Sequence, residues 1–105
     1  MKLMTKELER RFKEVGRQEY AKDPIVIAKF FDPCGPGTWL ATEYDPRTKL
    51  FFGYVSIFGD HNDEWGYFSL EELESVKAGF GLGIERDLYF KEQPASKLIK
   101  KLTKV

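Results

Sequence analysis

The chain has 105 residues with seventeen basic and seventeen acidic side chains, a length that fits one domain able to bury about two-thirds of its unfolded surface without staples. Nine Phe, five Tyr and two Trp exclude a disordered chain, and no apolar run reaches the ~18–20 residues that span a membrane. The single cysteine, Cys34, excludes an intramolecular disulfide and fits a reducing compartment.

Thr5 is placed to cap a first helix, with Glu7 and Glu9 in the turn where negative charge suits the helix dipole. Leu8, Phe12 and Val15 form its apolar stripe, and Gly16 ends it. Asp23-Pro24 marks a break. Ile25–Phe31, rich in β-branched and aromatic residues, reads as the first strand. The loop 32–37 follows, then a strand over Thr38–Tyr44. Asp45–Lys49 is a turn, with Pro46 suited to position i+1 of a type I turn. Leu50–Phe58 completes a hairpin. Leu50, Phe52, Tyr54 and Phe58 fall on one side of that strand, and Phe51, Val55 and Ile57 on the other. Apolar residues on both sides make it a central strand covered on both faces.

Gly59–Glu64 reads as a polar loop and Trp65–Phe68 as a short strand. Ser69 and Glu72 form a capping box for a helix that runs to about Ala78, with Gly79 as its C-cap. Ile84–Phe90 is the last strand. Pro94 precedes a basic amphipathic helix with Leu98, Ile99 and Leu102 as its stripe. Short connections favour antiparallel pairing. The expected fold is a single α+β domain over residues 1–105, an antiparallel, aromatic-rich sheet of four or five strands with three helices not all on one face.

Charge is unevenly spread. Residues 1–22 carry seven basic and four acidic side chains, residues 23–75 three and ten, and residues 76–105 seven and three. Basic ends flank an acidic middle. They read as solvated helices, or as one basic patch where the ends meet in space. No apolar segment follows the first basic residues, so the N-terminus is not a secretory signal and the expected location is cytoplasmic.

Several segments together resemble a known family. They are Thr38-Trp39-Leu40 with Thr42-Glu43 and Asp45-Pro46, then Gly66-Tyr67-Phe68-Ser69-Leu70, and Gly81-Leu82 with Ile84-Glu85-Arg86-Asp87-Leu88. With the opening Leu3-Met4-Thr5-Lys6, their order and spacing resemble the bacterial domain-of-unknown-function 2958 family over residues 1–92. The Phe58–Glu64 loop and the Lys-rich C-terminal helix depart from its pattern. The resemblance implies a bacterial accessory role, often on mobile elements, and transfers no catalytic residue.

The chemistry-bearing motifs are few. Gly79-x-Gly81-x-Gly83 has its helix before the glycines rather than after, so it is a helix end and not a phosphate loop. Asp60–Glu64 lacks the calcium-loop pattern and reads as a solvated loop. Cys34 and His61 lie in separate loops and make a poor nucleophile–base pair. Phe52-Gly53-Tyr54-Val55 echoes the RNA-recognition motif, but its flanks differ, and that fold puts a helix between its first two strands. Arg86, in a row with Ile84, Leu88 and Phe90, needs a carboxylate if buried, and Glu43 or Asp45 could supply it.

The sequence therefore points to a non-enzymatic binding module with no cofactor, no metal and no assigned catalytic residue. Its partner is a protein, or single-stranded nucleic acid held by the basic terminal helices. The candidate surface is Trp39, Glu43, Tyr44, Arg86, Asp87 and Tyr89. The alternative is a small enzyme with a polar pocket around Glu43, Arg86 and Asp87.

Overall fold

The computed structural model describes residues 2–59, 62–76 and 83–102. Local signals build the first elements as expected. Helix α1 spans Lys6–Val15; the Thr5 side chain accepts from the Leu8 N–H, and Gly16, at φ 70°, ends it in the left-handed region that glycine tolerates. Strands β3 (Thr38–Asp45) and β4 (Leu50–Ser56) form the hairpin. Its turn is wider than type I, because the Lys49 N–H bonds to the Asp45 carbonyl four residues back and Lys49 takes φ 57°. The Asp45 side chain also accepts from the Arg47 N–H.

The segment Ile25–Phe31 is two strands, not one. Strand β1 (Ile25–Val26) and strand β2 (Ala28–Phe31) part at Ile27. Strand β2 joins the main sheet; β1 pairs antiparallel with the distant β7 (Gln93–Pro94) in a two-stranded ribbon. Strand β5 (Glu64–Ser69) follows β4, and helix α2 (Leu70–Ser75) starts at the Ser69 cap, whose side chain accepts from the Glu72 N–H. That helix ends earlier than expected, at a Val76 in extended conformation. The Ser75 hydroxyl turns back onto the Glu72 carbonyl, a bond that competes with continued helix. Ala78 and Gly79 lie outside the described residues.

The last strand is also shorter than expected. Strand β6 is Glu85–Arg86 alone. After the Asp87 N–H bonds to Lys29, the Asp87 side chain accepts from Tyr89 N–H and its carbonyl from Phe90 N–H. This local turn ends pairing, so Leu88 and Phe90 do not continue the row of Ile84 and Arg86. Helix α3 (Ala95–Leu102) then closes the fold. Its N-terminus is capped from far along the chain: Asp23 accepts from the Ser96 N–H at 3.0 Å and the Ser96 hydroxyl at 2.6 Å. Those bonds hold the Asp23 carboxyl below its usual range.

The main sheet is antiparallel in the order β5-β4-β3-β2-β6. It separates two apolar clusters. One face carries Phe51, Phe30, Ala41 and Phe68, covered by Phe12 of α1 and Leu70 and Leu73 of α2. The other carries Leu40 and Tyr54, covered by Ala95 and Leu98 of α3. Strand β4 is thus central, as its sequence implied, covered on one face by α1 and α2 and on the other, around Tyr54, by α3. A radius of gyration of 13.1 Å is that of one packed unit of this length.

One irregularity sets the orientation of the hairpin's far end. Ala41 faces Gly53, but the next pair is Glu43 with Phe52, so Thr42 is an extra residue. Its hydroxyl donates to the Phe52 carbonyl at 3.1 Å, which satisfies a side chain only 2% exposed. Through this bulge Tyr44, opposite Phe51, lies on the same face as Ala41, against the alternation the sequence suggests.

Candidate functional site

The six residues singled out from the sequence do not form one site. Trp39 packs onto the main core, against Gly37. Tyr44 packs 4.8 Å from the Phe51 ring. Glu43 accepts from the Gln18 N–H at 3.0 Å. Gln18 is a clip that the sequence did not announce: its side chain bonds to Ile25 N–H, Ile25 carbonyl and Thr42 carbonyl, fastening the segment after α1 to β1 and β3. Glu43 is part of that clip.

Arg86 sits two strands away, paired across from Phe30 on the edge strand β6, and its guanidinium reaches the Leu3 carbonyl at 3.5 Å. Asp87 faces Lys29 at 3.8 Å. Tyr89 projects into solvent, 92% exposed. Accordingly, Glu43 and Tyr44 line one groove, of about 780 Å³, between α1 and the β3–β4 hairpin. Arg86 and Asp87 line another, of about 680 Å³, beside the start of α1. The second groove is crossed by the paired Arg11 and Glu92, which meet in a two-bond fork at 2.8 and 2.9 Å.

Of the two readings of the basic ends, one joint patch is not what the fold makes of them. Helix α1 packs on one face of the sheet and α3 on the other, so their lysines and arginines do not form one patch. The sequence also offered Asp60–Glu64 and the pair Cys34 and His61; Asp60 and His61 lie outside the described residues. So do Gly79 and Gly81. Among the described residues, no helix is long and apolar enough to cross a membrane and no group of three metal-ligating side chains occurs.

A different surface emerges on the face that α3 covers only in part. Phe52 and Tyr67 pair across β4 and β5, as do Tyr54 and Trp65. Their rings form a continuous array: Phe52 stacks on Trp65 at 6.1 Å and meets Tyr67 edge-on at 5.0 Å, and Trp65 meets Tyr54 edge-on at 5.6 Å. Tyr54 is buried under α3; Trp65 is 39% exposed and Tyr67 74%. Phe52 and Tyr67 also line the groove beside the hairpin, so row and groove are continuous. The alternation Trp65-Gly66-Tyr67 was visible in the sequence as a strand signal. Nothing local said which face α3 would leave uncovered.

Two phenols carry the electrostatics of this region. Burial pushes Tyr44 above the ordinary tyrosine range, and the charges of Glu9, Glu74, Asp45 and Glu71 add to it. Burial pushes Tyr54 up as well, with the Asp63 carboxylate beside it. The folded chain therefore holds these protons more tightly than the unfolded chain does. Their contribution to stability is complete below about pH 10 and is lost as pH rises through the raised values. In a pH series followed by circular dichroism, Tyr44→Phe and Tyr54→Phe together should move the alkaline unfolding midpoint upward. An unmoved midpoint would contradict this account.

The sequence model of the family described as Protein of unknown function (DUF2958) matches residues 3–103. The chain belongs to this family. The match extends past residue 92, where the resemblance read from sequence ended, and takes in the C-terminal helix. No curated protein and no solved structure matches this family member.

Proposed function

We propose that the chain is a non-enzymatic binding module, an accessory protein of a bacterial cell or mobile element, and that it takes a protein partner on the row formed by Phe52, Trp65 and Tyr67. The observation that carries this reading is the exposure of two large rings side by side, with Leu50 37% exposed beside them. Covering apolar surface is favourable, and Trp and Tyr supply much contact area with few rotatable bonds. Single-stranded nucleic acid is the weaker match, because such sites combine rings with basic side chains along one track. Here Asp63, Glu64 and Glu71 neighbour the row, and the adjoining groove mixes Lys13, Arg17 and Arg47 with Glu9, Glu19, Glu43 and Asp45. The rings thus face mixed charge rather than a basic track, and the basic helices lie on opposite faces of the sheet.

A photo-crosslinking residue in place of Tyr67, in cells that carry the gene, tests this. The expected product is a discrete adduct that protease removes and nuclease leaves intact, with no counterpart from a crosslinker at Tyr20, which is 94% exposed elsewhere on the chain. No adduct from position 67, or one that nuclease removes, would refute the reading.

A further inference from the structure

Strand β5 is an edge of the sheet, and among the described residues no element pairs with its outer side. The register decides which backbone groups point outward. The Leu70 N–H donates to the Lys49 carbonyl at 3.0 Å, and Phe51 pairs with Phe68, Gly53 with Gly66 and Val55 with Glu64. In an antiparallel ladder alternate pairs exchange backbone bonds. The residues in step with Leu70, namely Phe68, Gly66 and Glu64, spend theirs on β4. Trp65 and Tyr67 therefore direct their N–H and C=O groups away from the sheet while presenting their rings on its open face. This couples a row of backbone partners to a row of aromatic contacts on the same two residues.

The electrostatic setting of that edge is predominantly acidic, with Lys49 standing 3.8 Å from Glu71 at one end. Residues 62–76 contain the carboxylates Asp63, Glu64, Glu71, Glu72 and Glu74 and no Lys, Arg or His. They lie at both ends of β5: Asp63 and Glu64 where it begins, the α2 glutamates where it ends. A second copy of the chain added antiparallel to this edge would bring Glu64 of each copy toward the other's Glu71 and Glu72, a like-charge contact that disfavours self-pairing.

We infer that the outer edge of β5 is a strand-addition site for an extended protein segment in which basic and apolar residues alternate. The incoming backbone completes the ladder at Trp65 and Tyr67. Apolar side chains on the ring side cover Trp65 and Tyr67, and lysines or arginines meet the carboxylates at either end. Such pairing also covers an edge that otherwise invites non-specific association. This inference rests on the proposed aromatic binding surface and adds the geometry and charge of its occupant.

A random twelve-residue peptide library, selected against the immobilised chain, tests it together with amide hydrogen exchange. Selected peptides are expected to carry net positive charge, to place apolar residues at every second position and to lose binding when a central residue is N-methylated. A synthetic copy of one should slow exchange at the Trp65 and Tyr67 amides at least tenfold, and Glu64→Lys with Glu72→Lys should lower its affinity at least tenfold. Acidic or unpatterned peptides, no peptide at all, protection elsewhere, or a chain that already dimerises through β5 in sedimentation would each overturn the inference. A crosslink at position 67 persisting alongside such a failure would leave the aromatic surface standing and remove only the strand addition.

Discussion

Replacing Gly53 with alanine should abolish cooperative folding. Gly53 sits opposite Ala41, immediately before the Thr42 bulge. A Cβ there would run into the Leu40 carbonyl oxygen and stand 2.8 Å from the Leu40 carbonyl carbon and 3.0 Å from the Ala41 Cα. All three obstacles are backbone. No rotamer change relieves them, and moving β3 would pull Leu40 and Ala41 out of the two cores they anchor. A loss of about 4 kcal/mol or more is expected, against a total of ~5–15 kcal/mol for a domain of this kind. Gly66, paired with Gly53 on the next strand, is the matched control, since a Cβ there meets nothing within 4 Å. Gly66→Ala should leave the thermal midpoint unchanged or raise it slightly. If Gly53→Ala melts cooperatively within a few degrees of the native chain, the close approach described here is wrong.

The second large effect is expected at Phe51. Its ring is fully buried and lies 5.1 Å from Phe30, 4.8 Å from Tyr44, 5.2 Å from Phe68 and 5.8 Å from Phe12. It therefore joins β2, β3, β4, β5 and α1 at one point. Truncation to alanine removes those contacts and leaves a cavity walled by a β-sheet, which collapses poorly. The expected cost is about 3–5 kcal/mol, a fall of roughly 15–30 °C in Tm for a chain of this size. Phe51→Leu should lie between the two. Calorimetry reads both. Equal midpoints for Phe51→Ala and the native chain would show that the core does not converge on this ring. Phe52, its neighbour, faces the other way and sits half-buried in the exposed row, so Phe52→Ala should cost markedly less.

That contrast between adjacent phenylalanines bears on function. A binding surface must be exposed in the free chain, so its rings are the ones whose removal the fold tolerates best. Trp65 and Tyr67 qualify on an edge strand; Trp39 and Tyr44, singled out from sequence, do not. Trp39 lies on the core side with Phe30, and the Thr42 bulge turned Tyr44 inward. Glu43 was drawn toward Arg86 in the sequence reading because an arginine in an apolar row needs a carboxylate if buried. The sheet order puts β2 between their strands, and Gln18 occupies Glu43 instead.

By itself the sequence determined the three helices and the order of the main-sheet strands, though not β7, together with the caps of α1 and α2, the hairpin at Asp45–Lys49, the central β4 and the family. These are local: alternation, helical spacing and turn chemistry act over a few neighbouring residues and leave their mark in the chain directly. Only the tertiary structure decided the division of Ile25–Phe31 between two sheets, the Thr42 bulge, the capping of α3 by Asp23 and the placement of α1 and α3 on opposite faces. It also decided that β5 is an edge with its rings uncovered. Each of these depends on which distant segments pair. A strand of alternating aromatics carries the same pattern whether it ends in the middle of a sheet or at its margin.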